Sequence, residues 1–118
     1  MLNKTLKEYQ ERVKEFASKR DWEQFHSPKN LSCALSVEAS ELMEIYQWEK
    51  EEDTRAFKSE SQRKKVEDEL IDIFVYWLRI SGELGINIEE CFERKFLENQ
   101  EKYPADIVRG SSKKYNEY

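Results

Sequence analysis

Residues 37–48 read VEASELMEIYQW, and residues 67–77 read EDELIDIFVYW. Each stretch places two carboxylates three positions apart, Glu38 with Glu41 and Glu69 with Asp72. Residues three apart on an α-helix project to the same side. If both stretches are helical, each carries a carboxylate pair on one face. Two such pairs can meet across a helical bundle and hold a divalent cation through oxygen atoms, the ligands that Mg²⁺ prefers.

The composition of the chain bounds its fold class and its partners. The 118 residues are 38% hydrophobic and 38% charged, with only three glycines and two prolines to form hairpin turns. We therefore expect an all-α protein with one domain over residues 1–118, a bundle of four main helices completed by homo-oligomerisation. The net charge of −5 and the lack of a basic cluster argue against nucleic acid as a partner.

The cysteines and the N-terminus bear on the compartment. Cys33 and Cys91 lack the spacing of a disulfide framework or a metal motif, so we predict that both are reduced packing residues. Residues 1–14 show no signal-peptide pattern, and no apolar run is long enough to span a bilayer. A cytoplasmic protein without a membrane partner is the expectation.

Helix-start signals and apolar periodicity predict four helices. Thr5, Ser27 and Asn87 are suited to be N-caps, and Pro28 fits the first turn after Ser27. The predicted helices cover about residues 5–19, 28–48, 61–83 and 88–102. The aromatic connection RDWEQFHSPKN precedes the second helix, and the polar segment EKEEDTRAFKSESQ after it is predicted to be loop with frayed helix. Residues from about 105 to 118 form a polar tail that is basic in the middle.

Glu38 occupies a costly position on the second predicted helix. Leu31, Ala34, Leu35, Leu42 and Ile45 form one apolar stripe, and helical geometry puts Glu38 near its centre and Glu41 at its edge. A buried carboxylate needs a cation or a proton, so a metal ion and an ion pair with Arg or Lys both remain open. The third helix is apolar over most of its circumference. Its polar gap, which by itself is typical of a solvated stripe, holds Lys65, Asp68, Glu69, Asp72 and Arg79.

Two further groups of residues could bind a ligand. Trp22, His26 and Trp48 lie outside the apolar stripes, where aromatic side chains either pack as satellite core or stack on flat ligands. Lys95, Asn99 and Tyr103 follow at intervals of four on one face of the fourth helix, a set that suits phosphate oxygens but is also common on solvated faces. The tail adds Arg109, Ser111, Ser112, Lys113 and Lys114, which could fold over an anion or fray.

These motifs together resemble those of the MazG-like all-α nucleoside triphosphate pyrophosphohydrolases. The match includes RDWEQFHSPKNL, the ExxE motif with YQW, the ExxD motif with Tyr76 after it, and KFLENQEKYPAD followed by RGSSKKYNEY. In this order, from about Phe16 to the C-terminus, they are similar to the dCTP pyrophosphatase branch. The segment 49–61 departs from that branch, because it is charged and lacks glycine and proline.

The resemblance implies a fold, an activity and a set of site residues. It implies a homo-oligomer, a dimer or a dimer-of-dimers tetramer, that hydrolyses nucleoside triphosphates such as dCTP to the monophosphate and pyrophosphate for nucleotide pool cleansing. Glu38, Glu41, Glu69 and Asp72 would be the catalytic carboxylates and hold Mg²⁺, with Mn²⁺ as a substitute. The implied phosphate-binding residues are Lys95, Asn99 and Tyr103, then Arg109, Ser112 and Lys113, and the implied base-binding residues are Trp22, His26, Trp48 and Tyr76, partly across a subunit boundary.

Two other interpretations remain open at the level of sequence. One is a non-catalytic helical interaction or nucleotide-sensing module that retains an acidic cluster. The other is a bundle filled with ion pairs and lacking any ligand, which should fold equally well without divalent metal. Both would leave nucleoside triphosphates intact, whereas an enzyme would release pyrophosphate in the presence of a divalent cation.

Overall fold

The computed structural model describes residues 5–113 and 115–117. The α-helices of these residues are α1 (Leu6–Lys19), α2 (Pro28–Tyr46), α3 (Glu60–Glu83), α4 (Ile88–Lys102) and α5 (Ala105–Val108). Short 3₁₀ turns lie at Glu23–Phe25, Glu51–Arg55 and Tyr115–Glu117. None of the described residues forms a strand, so the predicted all-α fold is confirmed.

The main helices begin where a polar side chain satisfies a free backbone N–H group. Oxygens of the N-cap residues Thr5, Ser27, Ser59 and Asn87 each accept a hydrogen bond from the backbone N–H three residues later. Pro28 occupies the first turn of α2, as predicted. The predicted starts of α1, α2 and α4 are therefore confirmed, and α3 begins one residue earlier than predicted because Ser59 is its cap.

Two segments differ from their sequence-based predictions. Helix α2 ends at Tyr46, two residues before the predicted end at Trp48, so Trp48 lies in the connection after the helix. That connection is not a frayed loop at its centre, because Glu51–Arg55 forms a 3₁₀ turn. The tail also contains the helical turn α5, which was not predicted and follows Pro104.

The chain divides into two compact units, one ending at Gly85 and one beginning at Ile86. In the first unit, α1 and α2 both pack against α3. The Gln10 side-chain amide donates to Ser81 Oγ at 2.9 Å, and the rings of Tyr9 and Phe74 meet edge to face at 6.2 Å, so α1 is fixed along α3. The buried apolar side chains of the described residues are Ala17, Leu31, Val66 and Leu78.

The second unit is built on α4 and α5. Phe92 and Phe96 stack on one side of α4 with ring centroids 5.2 Å apart, and both are largely exposed. Glu98 forms ion pairs with Arg94 at 3.2 Å and with Lys95 at 3.7 Å. These pairs lie at helical spacings of three and four, so they support α4 modestly.

The cysteine prediction is confirmed in one respect and wrong in another. Both Cys33 and Cys91 are free thiols. Cys33 is exposed, because helical geometry puts it on the side of α2 away from the apolar stripe, so it is not a packing residue in this chain. Among the described residues, no helix has the length and hydrophobicity needed to cross a membrane.

Candidate active site

The packing of α2 against α3 gathers three of the four predicted carboxylates. Glu38 and Glu41 on α2 and Glu69 on α3 each offer one carboxylate oxygen, and these oxygens all lie within 4.8 Å of one another. Glu38 and Glu69 are half-buried, whereas Glu41 is exposed. Asp72 is exposed one helical turn beyond Glu69 and is not part of this close group. We call Glu38, Glu41 and Glu69 the acidic cluster.

The acidic cluster is electrostatically unsatisfied. Burial, followed by contacts with Glu69 and Glu41 and by the charge of Asp72, raises the pKa of Glu38 from 4.5 to about 7. Burial, followed by the carboxylates of Glu41 and Asp72, also raises the pKa of Glu69, while its contact with Glu38 acts in the opposite direction. One oxygen of each, Oε2 of Glu38 and Oε2 of Glu69, is buried and receives no hydrogen bond from any described residue. The alternative of an ion pair with Lys or Arg is therefore not supported at these two oxygens, because no described Lys or Arg forms a hydrogen bond or an ion pair with them.

These properties fit a hard divalent cation. Three carboxylates from two helices supply oxygen ligands on more than one side, and an ion would occupy the two buried oxygens that lack donors. A bound cation would also replace the repulsion among the carboxylates with attraction. The sequence-based expectation of an acidic cluster that can hold a metal is thus supported by the packing of two helices.

The stability of the metal-free protein should fall as the pH rises. The folded pKa of Glu38 is about 7 against an ordinary value of 4.5, so between these pH values the folded state holds a proton that the unfolded chain has lost. By linkage, the destabilisation develops as the pH rises through this window and is complete above it. Thermal melts in EDTA between about pH 5 and pH 8 measure the effect.

Glu38→Gln should flatten this pH profile and raise the melting temperature above neutral pH. Glu44→Gln is the matched control, because Glu44 is an exposed residue of α2 outside the acidic cluster. A parallel profile in Glu38→Gln and in the unchanged protein would contradict the assignment of the buried charge to Glu38.

A small cleft in the first unit collects three of the four predicted base-binding residues. The cleft has a volume of about 120 Å³ and contains Trp22, His26 and Tyr76 in its lining. Its remaining lining residues are Val13, Phe16, Ala17, Val75 and Arg79. Trp22 meets Phe16 edge to face at 5.8 Å and remains 44% exposed, so part of the residue is accessible to a ligand.

The chain reversal after α1 places Trp22 in the cleft. Asp21 adopts a left-handed backbone conformation with φ of 55°, which ends α1 and turns the chain back. The Trp22 N–H then donates to the Ala17 carbonyl at 2.9 Å. The aromatic connection is therefore a fixed structure, although its sequence has no periodicity.

The acidic cluster and the cleft share one face of α3. Glu69, Asp72, Tyr76 and Arg79 are separated by three, four and three residues, a spacing that keeps all four on one side of the helix. The seven residues from Glu69 to Tyr76 correspond to about 10 Å along the axis. A ligand lying along this face could therefore reach the carboxylates with one end and the aromatic cleft with the other.

Arg79 has a role that was not predicted from the sequence. It lies in the polar gap of α3, which by itself is typical of a solvated stripe, yet its side chain is only 3% exposed. Its Nε donates to His26 Nδ1 at 3.2 Å, and its Nη2 donates to Glu83 Oε2 at 3.4 Å. Spacing along α3 could not show this, because the partner His26 comes from a distant connection.

The fourth predicted base-binding residue, Trp48, is not in the cleft. Its side chain is 90% exposed in the connection after α2. The next residue, Glu49, is firmly held, because one of its carboxylate oxygens accepts from Lys58 Nζ at 3.0 Å and from Gln62 Nε2 at 2.8 Å. This anchor, which was not predicted, fixes the start of the charged segment 49–61.

The predicted phosphate-binding residues all lie in the second unit. Lys95 and Asn99 are on α4, and Tyr103 is its C-cap residue, whose N–H donates to the Asn99 carbonyl at 2.9 Å. Lys95 is exposed and pairs weakly with Glu98. Arg109, Ser112 and Lys113 are exposed beyond α5. Their assignment to a phosphate site stays a prediction.

The fold and the acidic cluster define an all-α protein with a candidate divalent-cation site between two helices. Residues 33–118 match the MazG-like family. The chain is 36% identical over 115 residues to bovine dCTP pyrophosphatase 1, with 96% of this chain and 68% of the relative covered. It is 36% identical to the human protein of the same name, with 96% and 67% covered. The chain therefore belongs to the MazG-like family.

A solved structure gives the same result for the fold. The chain is similar to a pyrophosphatase from Archaeoglobus fulgidus DSM 4304, with a TM-score of 0.78 and 34% sequence identity. The similarity covers 88% of this chain and 96% of the archaeal one. The resemblance drawn from the sequence motifs is thus confirmed at the level of family and fold.

Proposed function

We propose that this protein is a nucleoside triphosphate pyrophosphohydrolase that requires a divalent cation. Its substrates would be dCTP or related nucleotides, and its role would be nucleotide pool cleansing. The observation that carries the proposal is the acidic cluster on the same face of α3 as an aromatic cleft. Membership of the MazG-like family and the names of the mammalian relatives and the archaeal structure support it.

The carboxylates would hold the cation and direct water. Glu38, Glu41 and Glu69, with Asp72 one turn away, would hold Mg²⁺ or Mn²⁺. The cation would supply neutralisation of phosphate charge and a more acidic water. Glu38 or Glu41 would orient the water that attacks the α-phosphorus and take its proton. The α–β phosphoanhydride bond breaks, and pyrophosphate leaves with the bonding electrons.

The cleft would bind the base. Trp22 and Tyr76 would stack on or border the ring, and His26 would contact its edge. Trp48, which is exposed in a single chain, would reach the base of a neighbouring subunit. The residues proposed to contact the triphosphate are Lys95, Asn99, Tyr103, Arg109, Ser112 and Lys113. We also propose that residues 1–118 form one functional domain. The predicted location in the cytoplasm and the predicted absence of nucleic acid as a partner stay predictions.

A pyrophosphate-release screen over the canonical and modified nucleoside triphosphates tests the function. We expect release with Mg²⁺, highest for dCTP or a related pyrimidine nucleotide, and none in EDTA. A parallel thermal-shift series with EDTA, Mg²⁺ and each nucleotide separates the alternatives. Stabilisation by nucleotide without release would indicate a sensing module, and indifference to both would indicate an ion-pair bundle without a ligand.

The protein should be a dimer or a dimer-of-dimers tetramer. Leu70 and Ile71 on α3 are 50% and 57% exposed, and the apolar core of the described residues is small. A second copy could cover these side chains, which would otherwise remain in water. Light scattering at micromolar concentration should report the oligomer, and Leu70→Asp with Ile71→Asp should reduce it to smaller species. A well-folded monomer of the unchanged protein would contradict the proposal.

A further inference from the structure

Arg79 is buried beside the cleft with a defined set of partners. Its side chain is 3% exposed and belongs to the lining of the cleft. Its Nε donates to His26 Nδ1 at 3.2 Å, and its Nη2 lies 3.4 Å from Glu83 Oε2 on the next turn of α3. Burial of a guanidinium is costly without partners, so these two contacts fix the position of the side chain.

The contact with Arg79 determines which nitrogen of His26 carries the proton. A guanidinium is a donor only and keeps its charge in proteins, so His26 Nδ1 must be the acceptor. In a neutral imidazole with Nδ1 as acceptor, the hydrogen is on Nε2. No described residue forms a hydrogen bond with Nε2, and His26 is part of the cleft lining. The cleft therefore contains one imidazole N–H group that donates to none of the described residues.

The charges around His26 favour the neutral ring. Burial and then the charge of Arg79 lower the pKa of His26 below its usual value, while the carboxylates of Glu83 and Glu23 act in the opposite direction. The imidazole is therefore neutral at pH 7, with a single N–H group.

We propose that Arg79 is a positioning residue that holds His26 as the Nε2–H tautomer, so that the imidazole donates a hydrogen bond to an acceptor on the base of the substrate. This step rests on the proposed function for the nature of the ligand. Because Nε2–H is a donor, its partner on the base must be an acceptor, that is, a carbonyl oxygen or an unprotonated ring nitrogen such as O2 or N3 of a cytosine. An acceptor of this kind would satisfy the Nε2–H group when the base displaces water from the cleft.

Nuclear magnetic resonance can observe this tautomer directly, because His26 is the only histidine of the chain. In protein labelled with ¹⁵N-histidine, long-range proton–nitrogen spectra should show Nδ1 unprotonated and Nε2 protonated at neutral pH. Arg79→Met should give a mixture of tautomers and a higher imidazole pKa, and Arg79→Lys, which keeps a donor, should restore part of the single-tautomer signature. Glu83→Gln is the matched control for the tautomer, because it removes the ion pair of Arg79 but leaves the contact with His26.

Kinetics test whether the tautomer serves substrate binding. Arg79→Met should raise KM for the best nucleotide up to about tenfold with little change in kcat, because one hydrogen bond to the base is weakened. A protonated Nδ1 in the unchanged protein would overturn the proposal, and this measurement does not depend on whether a variant folds. An unchanged tautomer in Arg79→Met, or a changed tautomer with an unchanged KM, would overturn it as well. Failure of the unchanged protein to release pyrophosphate would instead refute the proposed function, while the spectra would still decide the role of Arg79.

Discussion

Replacement of Glu41 by glutamine should reduce pyrophosphate release by at least about a hundredfold, since loss of groups that merely support a metal ligand already costs 10–100-fold. Glu41 belongs to the acidic cluster but is exposed, so the substitution removes a cation ligand without opening a cavity. Asp72→Asn should also abolish most turnover if Asp72 completes the ligand set from the adjacent turn of α3. Steady-state rates at saturating Mg²⁺ and far-ultraviolet circular dichroism on the same samples measure activity and helix content.

Glu44→Gln is the control for the carboxylate variants, because Glu44 is also an exposed carboxylate of α2 but lies outside the acidic cluster. It should retain normal turnover. Near-normal activity of Glu41→Gln, with helix content intact, would mean that the acidic cluster does not hold the catalytic cation.

Removal of the Trp48 indole should raise KM for the best nucleotide by about one to two decades, since base–aromatic stacking contributes roughly 1–3 kcal/mol. The melting temperature of Trp48→Ala should remain unchanged, because the side chain is 90% exposed in the chain and a buried tryptophan would cost about 3–5 kcal/mol on truncation. Both quantities should be measured on one preparation, with and without nucleotide.

Trp22→Ala is the informative comparison for Trp48→Ala. Trp22 packs against Phe16 and lines the cleft, so its loss should raise KM and also lower the melting temperature. A large fall in melting temperature with unchanged KM for Trp48→Ala would place Trp48 in a subunit contact instead of the base site.

The sequence predicted those features of the fold that local chemistry decides. N-caps such as Thr5, Ser27 and Asn87 bind the backbone three residues away, so their effect is visible within one helical turn of sequence. The position of Glu38 in an apolar stripe likewise follows from helical periodicity, and its raised pKa agrees with the predicted cost of burial. These predictions needed no knowledge of how the helices pack.

Features that depend on distant parts of the chain could not be predicted in this way. Arg79 lies in a polar gap of α3 that by itself is typical of a solvated stripe, but its environment is decided by His26, which is 53 residues away. The ion pair and the hydrogen bond of Glu49 could not be predicted, because its partners Lys58 and Gln62 are brought to it by the segment that contains the 3₁₀ turn Glu51–Arg55. Leu70 and Ile71 are exposed in the single chain, and the pattern of α3 alone could not distinguish a face covered by a second copy, as proposed, from an open one.

The identity of the products formed with and without a divalent cation tests the central claim most directly. Phosphorus nuclear magnetic resonance of dCTP incubated with the protein and Mg²⁺ should show dCMP and pyrophosphate accumulating in equal amounts. Excess EDTA should stop the reaction, and renewed Mg²⁺ should restore it. Formation of dCDP and inorganic phosphate would contradict attack at the α-phosphorus. Equal turnover in EDTA would contradict a metal-dependent acidic site.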